Sequence, residues 1–200
     1  MNIFATNADP TASAIALADQ HVIKMCCETA QVLSTALHLR GENMPGLYKP
    51  THRKHPCVVW AAADIANFAW LVEHGRALCA EYTRRFSKTR PGCAPKTHAS
   101  GAIIERAASV LNHYPKPGAP VTLALAMPDA FKVVAETDGP HVAYQRYLCW
   151  KYRMWAGEGK PGRWTRAVPP SWLDLSEPLP VRTNKPSPLP EPDEYEGGDW

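Results

Sequence analysis

The sequence predicts a mainly α-helical protein, and three observations carry that prediction. Long segments repeat apolar residues at helical spacing, whereas no segment shows the strict alternation of a half-buried strand. Prolines and glycines interrupt these segments where helices can begin or end. The 200 residues, 45% of them hydrophobic, suffice to close one core. We expect a compact single-domain helical bundle over residues 1–172 and a Pro-rich acidic tail over 173–200 that is disordered or draped.

Capping residues predict where the helices begin. Asp9-Pro10 combines an N-cap with a first-turn proline, and Pro56 after His55 opens a second helical region. The two longest helical patterns are expected to break near Asp19 and near Asp64. The expected elements, in chain order, are an extended arm or short strand over 1–8, helices over about 10–39, 56–86, 100–113, 128–134 and 140–156, and loops between these helices and after 157.

Composition and charge limit the class of function. No run of 18 apolar residues is present and the N-terminus lacks a secretory pattern, so we expect no membrane span and a cytoplasmic location (the host cytoplasm for a phage protein). The six cysteines have no paired spacing and are expected to be small buried thiols, without a metal or other cofactor. Residues 1–170 hold 20 basic and 12 acidic residues, whereas 171–200 hold 2 and 7. A basic globule favours a polyanionic partner, and the acidic tail either keeps the chain soluble or binds a basic protein partner.

A row of polar residues lies along the first long helix. His21, Lys24, Glu28 and Gln31 are spaced 3, 4 and 3 apart, so they share one helix face. The neighbouring face is apolar and is expected to enter the core: Val22, Met25, Thr29, Val32 and Ala36. A base, an acid and an amide beside a core face are typical of a pocket lining, although a solvated face of an amphipathic helix shows the same pattern.

Two further segments contain residue types that contact nucleic acid. In the helix over 141–155, basic residues alternate with five large aromatic residues, Tyr144, Tyr147, Trp150, Tyr152 and Trp155. Aromatic rings stack on exposed bases and cations bind phosphates, whereas the alternative is a core helix whose basic side chains extend to solvent. The loop over 48–56 offers four candidate contacts, for which phosphate or base binding is a better interpretation than metal binding: His52, Arg53, Lys54 and His55.

A second polar row follows the other long helix at intervals of seven residues and includes Asn67, His74 and Glu81. This row forms either a buried polar network or part of the site. Arg84 and Arg85 follow at the end of the same helix. They are expected to satisfy its C-terminal carbonyl groups and, in addition, to reach phosphates.

Three segments of the chain share motifs with one known family. Residues 17–21 read Leu-Ala-Asp-Gln-His, and Glu28 follows seven residues after the histidine. The other two segments are 70–86 and 150–152. Over about residues 1–155 the chain resembles the phage pyrimidine-dimer DNA glycosylases known as endonuclease V. It is still more similar to uncharacterised phage proteins that share Asp-x-His-Val-x-Lys-Met-x-x-Glu, Thr-His-x-x-His-Pro and Met-Pro-Asp.

The resemblance implies a helical DNA glycosylase of the endonuclease V type that also acts as an AP lyase. Its N-terminal α-amine, here that of Met1, would attack C1′ of the damaged nucleotide, and an α-amine is more readily neutral near pH 7 than a lysine. Glu28 would stabilise positive charge at C1′ and move protons, and His21 would orient or hold a phosphate. The partner would be double-stranded DNA, bent and with an extruded base.

The resemblance and the polar patterns together define the candidate site. Its expected catalytic residues are Met1, Glu28 and His21. Its expected DNA-binding or substrate-binding residues are Asn2, Gln20, Lys24, Gln31, His52, Arg53, Lys54, His55, Asn67, His74, Tyr147 and Lys151.

Two alternatives to base excision remain at this point. The family has arginine at three positions where this chain has Asn2, Cys27 and Gln31. A changed set of cations around Glu28 favours a base-modifying transferase, of the kind that phage DNA hypermodification requires. The other alternative is a non-catalytic DNA-binding or anti-defence protein that keeps the fold and its basic face.

Overall fold

A computed structural model describes residues 1–115, 118–120 and 122–176, and within these residues the chain forms α-helices and no strand. The mainly α prediction is thereby confirmed. The elements are α1 (Pro10–Ile15), α2 (Asp19–Leu39), α3 (Pro56–Ala63), α4 (Ile65–Phe86), α5 (Ser100–Ala108) with a 3-10 extension (Ser109–His113), α6 (Asp129–Thr137) and α7 (Pro140–Gly157). Most of the expected acidic tail, residues 177–200, lies outside the described residues.

The expected helix starts and breaks are confirmed. The Asp9 side chain accepts a hydrogen bond from the backbone N–H of Ala12 at 2.8 Å and caps α1. Asp64 separates α3 from α4 and accepts from the backbone N–H of Ala66 at 2.7 Å. The break near Asp19 falls at residues 16–18, and the arm over 1–8 contains no strand. Each break divides a long helical pattern into two helices, of which α3 packs against α4, whereas α1 packs against α4 and not along α2.

Helix α2 lies at the centre of the bundle and packs against α3, α4 and α5. The five residues expected on its apolar face are all at most 1% exposed: Val22, Met25, Thr29, Val32 and Ala36. Helices approach closely at Gly75 of α4, where an added Cβ would lie 2.8 Å from Cγ2 of Thr29 and 3.0 Å from Cδ1 of Ile104. Only a residue without a side chain permits this contact among α2, α4 and α5.

The cysteines are all free thiols, which agrees with the absence of paired spacing. Burial holds for Cys26, Cys57 and Cys149, whereas Cys93 is exposed, contrary to the expectation that all six are buried. Cys93 lies between α4 and α5 in an irregular segment, and this segment has no helix face that would carry the cysteine into the core. In the described part of the chain, no helix is long and apolar enough to cross a membrane.

A buried ionic network joins the ends of three helices. The guanidinium of Arg85 donates to two backbone carbonyls, both at 2.8 Å. One belongs to Ile15, the last residue of α1, and the other to Leu17, which lies beyond the end of that helix. The guanidinium also donates to Asp19 at 3.0 Å and to Glu81 at 2.8 Å. Since Arg85 is 1% exposed, the expectation that it reaches phosphates is wrong. Its donors satisfy carbonyls at and just beyond the end of α1, instead of those of its own helix.

After α7 the chain returns along the surface as an irregular segment, residues 160–166, which we call the strap. The backbone N–H and hydroxyl of Thr165 donate to the Asp19 carboxylate at 3.0 and 2.7 Å. The indole of Trp164 donates to the carbonyl of Ala16 at 3.1 Å, and Arg166 donates to the carbonyl of Ser87 at 2.8 Å. The strap is therefore fixed to the start of α2 and to the end of α4.

Replacing Arg85 with methionine should destabilise the fold by about 3–5 kcal/mol, because the buried Asp19 carboxylate would lose its ion pair and the buried Glu81 carboxylate would keep only the half-exposed Arg84. The matched control is Arg76→Met, which removes an exposed arginine from ion pairs with Glu73 and Glu105 and should cost less than about 1 kcal/mol. Urea denaturation at neutral pH measures both free energies of unfolding. Equal losses in the two variants would contradict the assigned role of the network.

Candidate functional site

A cavity of about 330 Å³ opens where the N-terminal arm meets α2 and α7, and we call it the N-terminal cavity. The first polar row lines one wall, which resolves the choice between a pocket and a solvated face for its first three members. The lining residues are Met1, Asn2, Phe4, Gln20, His21, Lys24, Met25, Glu28, Tyr147, Lys151 and Trp155. A larger cavity of about 440 Å³ lies between α4 and α5, but its lining contains none of the predicted site residues.

The Glu28 carboxylate connects the N-terminal arm to α2. One oxygen accepts a hydrogen bond from the backbone N–H of Asn2 at 3.1 Å, and the other pairs with the Lys24 ammonium at 3.0 Å. The Glu28 side chain is 12% exposed, whereas that of Lys24 is 70% exposed. Three covalent bonds separate the Met1 nitrogen from the Asn2 nitrogen, so the α-amine lies within about 7 Å of the Glu28 carboxylate.

Asn2 fixes the conformation of the arm. Its side-chain oxygen accepts from the backbone N–H groups of Ile3 and Phe4 at 2.8 and 3.0 Å, and its amide donates to the carbonyl of Ala126 at 2.6 Å. Phe4 adopts a φ of +40°, a conformation that costs free energy for a residue with a side chain. Although Asn2 lines the cavity, its side-chain groups are bonded within the protein, so its part in the site is to hold the first residues in place.

His55 lies where the loop over residues 48–56, which we call the basic loop, comes close to the N-terminus. Its Nδ1 accepts from the backbone N–H of Cys57 at 3.2 Å, and its ring lies close enough to Met1 for the N-terminal residue to influence its pKa. Burial lowers the pKa of His55, and the neighbouring N-terminal amine and His52 lower it further. The remaining predicted contacts of this loop, His52, Arg53 and Lys54, are exposed. The structure thus brings the loop beside Met1.

His21 is buried beneath the cavity and is neutral at physiological pH. Burial lowers its pKa to about 3, with smaller contributions from Lys151 and Lys24. The His21 ring lies between Phe4 and Trp155, with ring centroids at 4.4 and 4.8 Å. Its Nδ1 is 2.9 Å from the Tyr152 hydroxyl, which donates to it in the tautomer that carries the ring proton on Nε2. A neutral ring cannot form an ion pair, so any phosphate contact of His21 would be an uncharged hydrogen bond.

Lys151 contributes a half-buried amine to the cavity. Burial lowers its pKa, Lys24 lowers it further, and Glu28 opposes both effects. The ammonium lies 5.9 Å from the ring centre of Tyr147 and 5.4 Å from that of Trp155. These contacts place a cation between two aromatic rings and close to the only carboxylate that lines the described cavity.

The structure does not bring every predicted residue to the cavity. Gln31 lies one turn beyond Glu28 and is not part of the lining. Asn67 donates to the carbonyl of Trp60 at 2.9 Å and is buried, and His74 has no exposed surface because it stacks on Trp70. Neither can contact DNA in this conformation, so the buried interpretation of the second polar row applies to both. Gln20 lines the cavity, but its amide binds Pro161 and Arg163 of the strap.

The aromatic residues of α7 are divided between core and cavity. Tyr144 and Tyr152 are at most 1% exposed and belong to the core, so they cannot stack on bases. Tyr147 and Trp155 line the cavity, as does Phe4, a residue that sequence reasoning did not select. The unusual backbone of Phe4 has no signature in the sequence, whereas Trp155 was marked by the aromatic pattern alone. Among the described residues, no three His, Cys, Asp or Glu side chains cluster as metal ligands.

Acid should destabilise the fold through His21 and His74, because burial lowers both pKa values from 6.5 to about 3. The unfolded chain then binds more protons between these pH values, so stability is complete above about pH 6.5 and falls as the pH drops towards 3. Between pH 7 and pH 5, each histidine should cost about 2 kcal/mol.

His74→Phe retains the ring that stacks on Trp70 and removes the titrating group, so its loss of stability between pH 7 and pH 5 should be about 2 kcal/mol smaller than that of the natural chain. His113→Gln, at an exposed position, is the control and should leave the pH dependence unchanged. Chemical denaturation at the two pH values measures these differences. An identical pH dependence in His74→Phe and the natural chain would be inconsistent with the burial of an uncharged ring.

Comparison with known proteins supports the family resemblance over the part of the chain that forms the arm, α1–α4 and the basic loop. The family model of pyrimidine dimer DNA glycosylases matches residues 1–93, slightly less than half of the chain. The general class of function that this match indicates is a DNA glycosylase acting in DNA repair. No curated protein and no solved structure matches the chain.

Proposed function

We propose that this chain, whose residues 1–93 match the pyrimidine dimer DNA glycosylase family, excises a damaged or modified pyrimidine through its N-terminal amine. The hydrogen bond from the Asn2 backbone to Glu28 carries the proposal, since it holds the first residue and a carboxylate in one cavity. We expect Met1 to be retained, because asparagine at position 2 is bulky for methionine removal. The α-amine is then that of Met1.

In the proposed reaction, the neutral amine of Met1 attacks C1′ of the sugar and the bond between C1′ and the base nitrogen breaks. The base leaves with the bonding electrons and takes up a proton. The sugar ring then opens: the electrons of the bond from C1′ to O4′ pass to O4′, which takes up the remaining amine proton, and an imine forms between the Met1 nitrogen and C1′. Removal of a proton from C2′ then breaks the bond from C3′ to its phosphate oxygen, which completes the lyase step.

Glu28 supports this sequence in two ways. Its carboxylate stabilises positive charge that develops at C1′, and it accepts or returns protons at the amine and at C2′. The Asn2 and Lys24 contacts hold both oxygens in place, so little reorganisation is needed when charge develops. His21, neutral and fixed by Tyr152, supplies a hydrogen-bonding wall without adding positive charge.

The rest of the lining suits an extruded nucleotide. Tyr147 and Trp155 offer aromatic surfaces for a base, and Lys24 and Lys151 offer cations for a phosphate. The volume of about 330 Å³ lies at the lower end of the range of small-molecule sites, about 300–1,000 Å³. Arg53 and Lys54 are exposed on the loop that reaches Met1 through His55, where the duplex would continue.

Borohydride should trap the full-length protein covalently on duplexes that contain a pyrimidine dimer or an abasic site, because reduction converts the imine into a stable amine. Peptide mapping by mass spectrometry should place the adduct on Met1, and acetylation of the N-terminus should abolish it. Glu28→Gln should slow single-turnover excision by a factor of about 10²–10⁴. The control Glu73→Gln, on the exposed face of α4, should retain the natural rate.

Four outcomes would overturn the proposal. An adduct on the half-buried Lys151 would move the nucleophile, and no adduct on any lesion would remove the imine mechanism. Nucleosides from treated DNA distinguish the alternatives, since a lost base indicates excision and a changed base mass indicates a transferase. Full biological activity of Glu28→Gln would indicate a non-catalytic DNA-binding protein.

A further inference from the structure

The strap borders the N-terminal cavity through two direct contacts. The backbone N–H of Lys160 donates to the carbonyl of Trp155 at 2.8 Å, and that of Arg163 donates to the side-chain oxygen of Gln20 at 3.3 Å. Gln20 in turn donates to the carbonyl of Pro161 at 2.8 Å. Because Trp155 and Gln20 both line the cavity, the backbone of the strap at Lys160 and Arg163 lies directly beside the lining.

Bonds to the rest of the bundle hold the strap in this place. Its far end is fixed by bonds from Thr165 to Asp19 and from Arg166 to the carbonyls of Arg84 and Ser87. Asp19 belongs to the buried network of Arg85, so the strap is connected to the ionic network at the start of α2. A preordered segment binds a ligand with little loss of conformational entropy.

Two charged side chains of the strap, those of Lys160 and Arg163, face solvent. Lys160 and Arg163 are exposed, and none of the ion pairs found among the described residues includes either of them. The nearest acidic residue along the chain, Glu158, is also exposed. Arg53 and Lys54 are also exposed, and they directly precede His55, which lies near the N-terminal amine.

We propose that Lys160 and Arg163 bind backbone phosphates of a DNA strand that passes over the N-terminal cavity. The strap would hold the strand on the side of Gln20 and Trp155, while the basic loop holds it on the side of Met1. This inference rests on the proposed function for its partner, duplex DNA, but it does not depend on the amine chemistry. It also assigns a DNA contact to residues that lie outside the matched segment 1–93.

The test is the salt dependence of binding by the full-length protein to a fluorescein-labelled duplex with one abasic site, followed by anisotropy from 50 to 300 mM KCl. The double variant Lys160→Gln and Arg163→Gln should lower the slope of log K against log salt by about 2, since each phosphate contact contributes about 0.9. Affinity should fall roughly tenfold for each lost contact at about 0.1 M salt. The charge-conserving pair Lys160→Arg and Arg163→Lys should retain both slope and affinity.

Arg106→Gln is the matched control, because it removes one exposed cation from α5, which does not line the N-terminal cavity. If the natural chain binds tightly and the Lys160→Gln and Arg163→Gln variant has the same slope of log K against log salt, the strap contact is overturned and the proposed function stands. If neither the natural chain nor Arg106→Gln binds the duplex, the proposed function itself fails and the strap contact fails with it. An equal loss in the charge-conserving pair would assign the effect to strap conformation and would also overturn the phosphate contact.

Discussion

The hydrogen bond between the Asn2 backbone and Glu28 is the contact on which the site depends. It joins two positions 26 residues apart and is buried, so breaking it would leave a carboxylate oxygen and an N–H group without partners. The side chain of Asn2 adds bonds to Ile3, Phe4 and Ala126, which fix the direction in which the chain begins. A terminal residue is usually poorly ordered unless it is bound in this way. Here the binding brings the α-amine and the carboxylate to the same cavity.

A second set of contacts keeps the opposite side of the cavity in place. Arg85 ties the end of α1 to Asp19 at the start of α2, and Thr165 of the strap binds the same carboxylate. His21 follows Asp19 on α2, and its ring is held by Tyr152 and Trp155 of α7. The position of the cavity therefore follows from how the start of α2 is bonded, and the strap belongs to the same unit.

Local sequence signals predicted the helices well because capping and helical periodicity act over a few residues. Asp9 and Asp64 are N-cap residues that indicate where their helices begin, and the spacing of apolar residues in α2 predicts which face is buried. Spacing cannot say which polar row faces solvent, since both spacings place their residues along one face of a helix. His74 and Asn67 are covered by packing against distant segments, whereas His21, Lys24 and Glu28 face the arm. The role of Arg85 and the bonds of the strap were unpredictable for the same reason, because their partners lie far away in sequence.

A crystal structure of the borohydride-reduced complex with an abasic-site duplex tests most directly whether the Met1 amine and Glu28 act together in the N-terminal cavity. The account predicts continuous density from the Met1 nitrogen to C1′, with the sugar inside the N-terminal cavity and the Glu28 carboxylate within hydrogen-bonding distance of the reduced linkage. A sugar bonded to Lys151, or a linkage formed outside the cavity and away from Glu28, would contradict it.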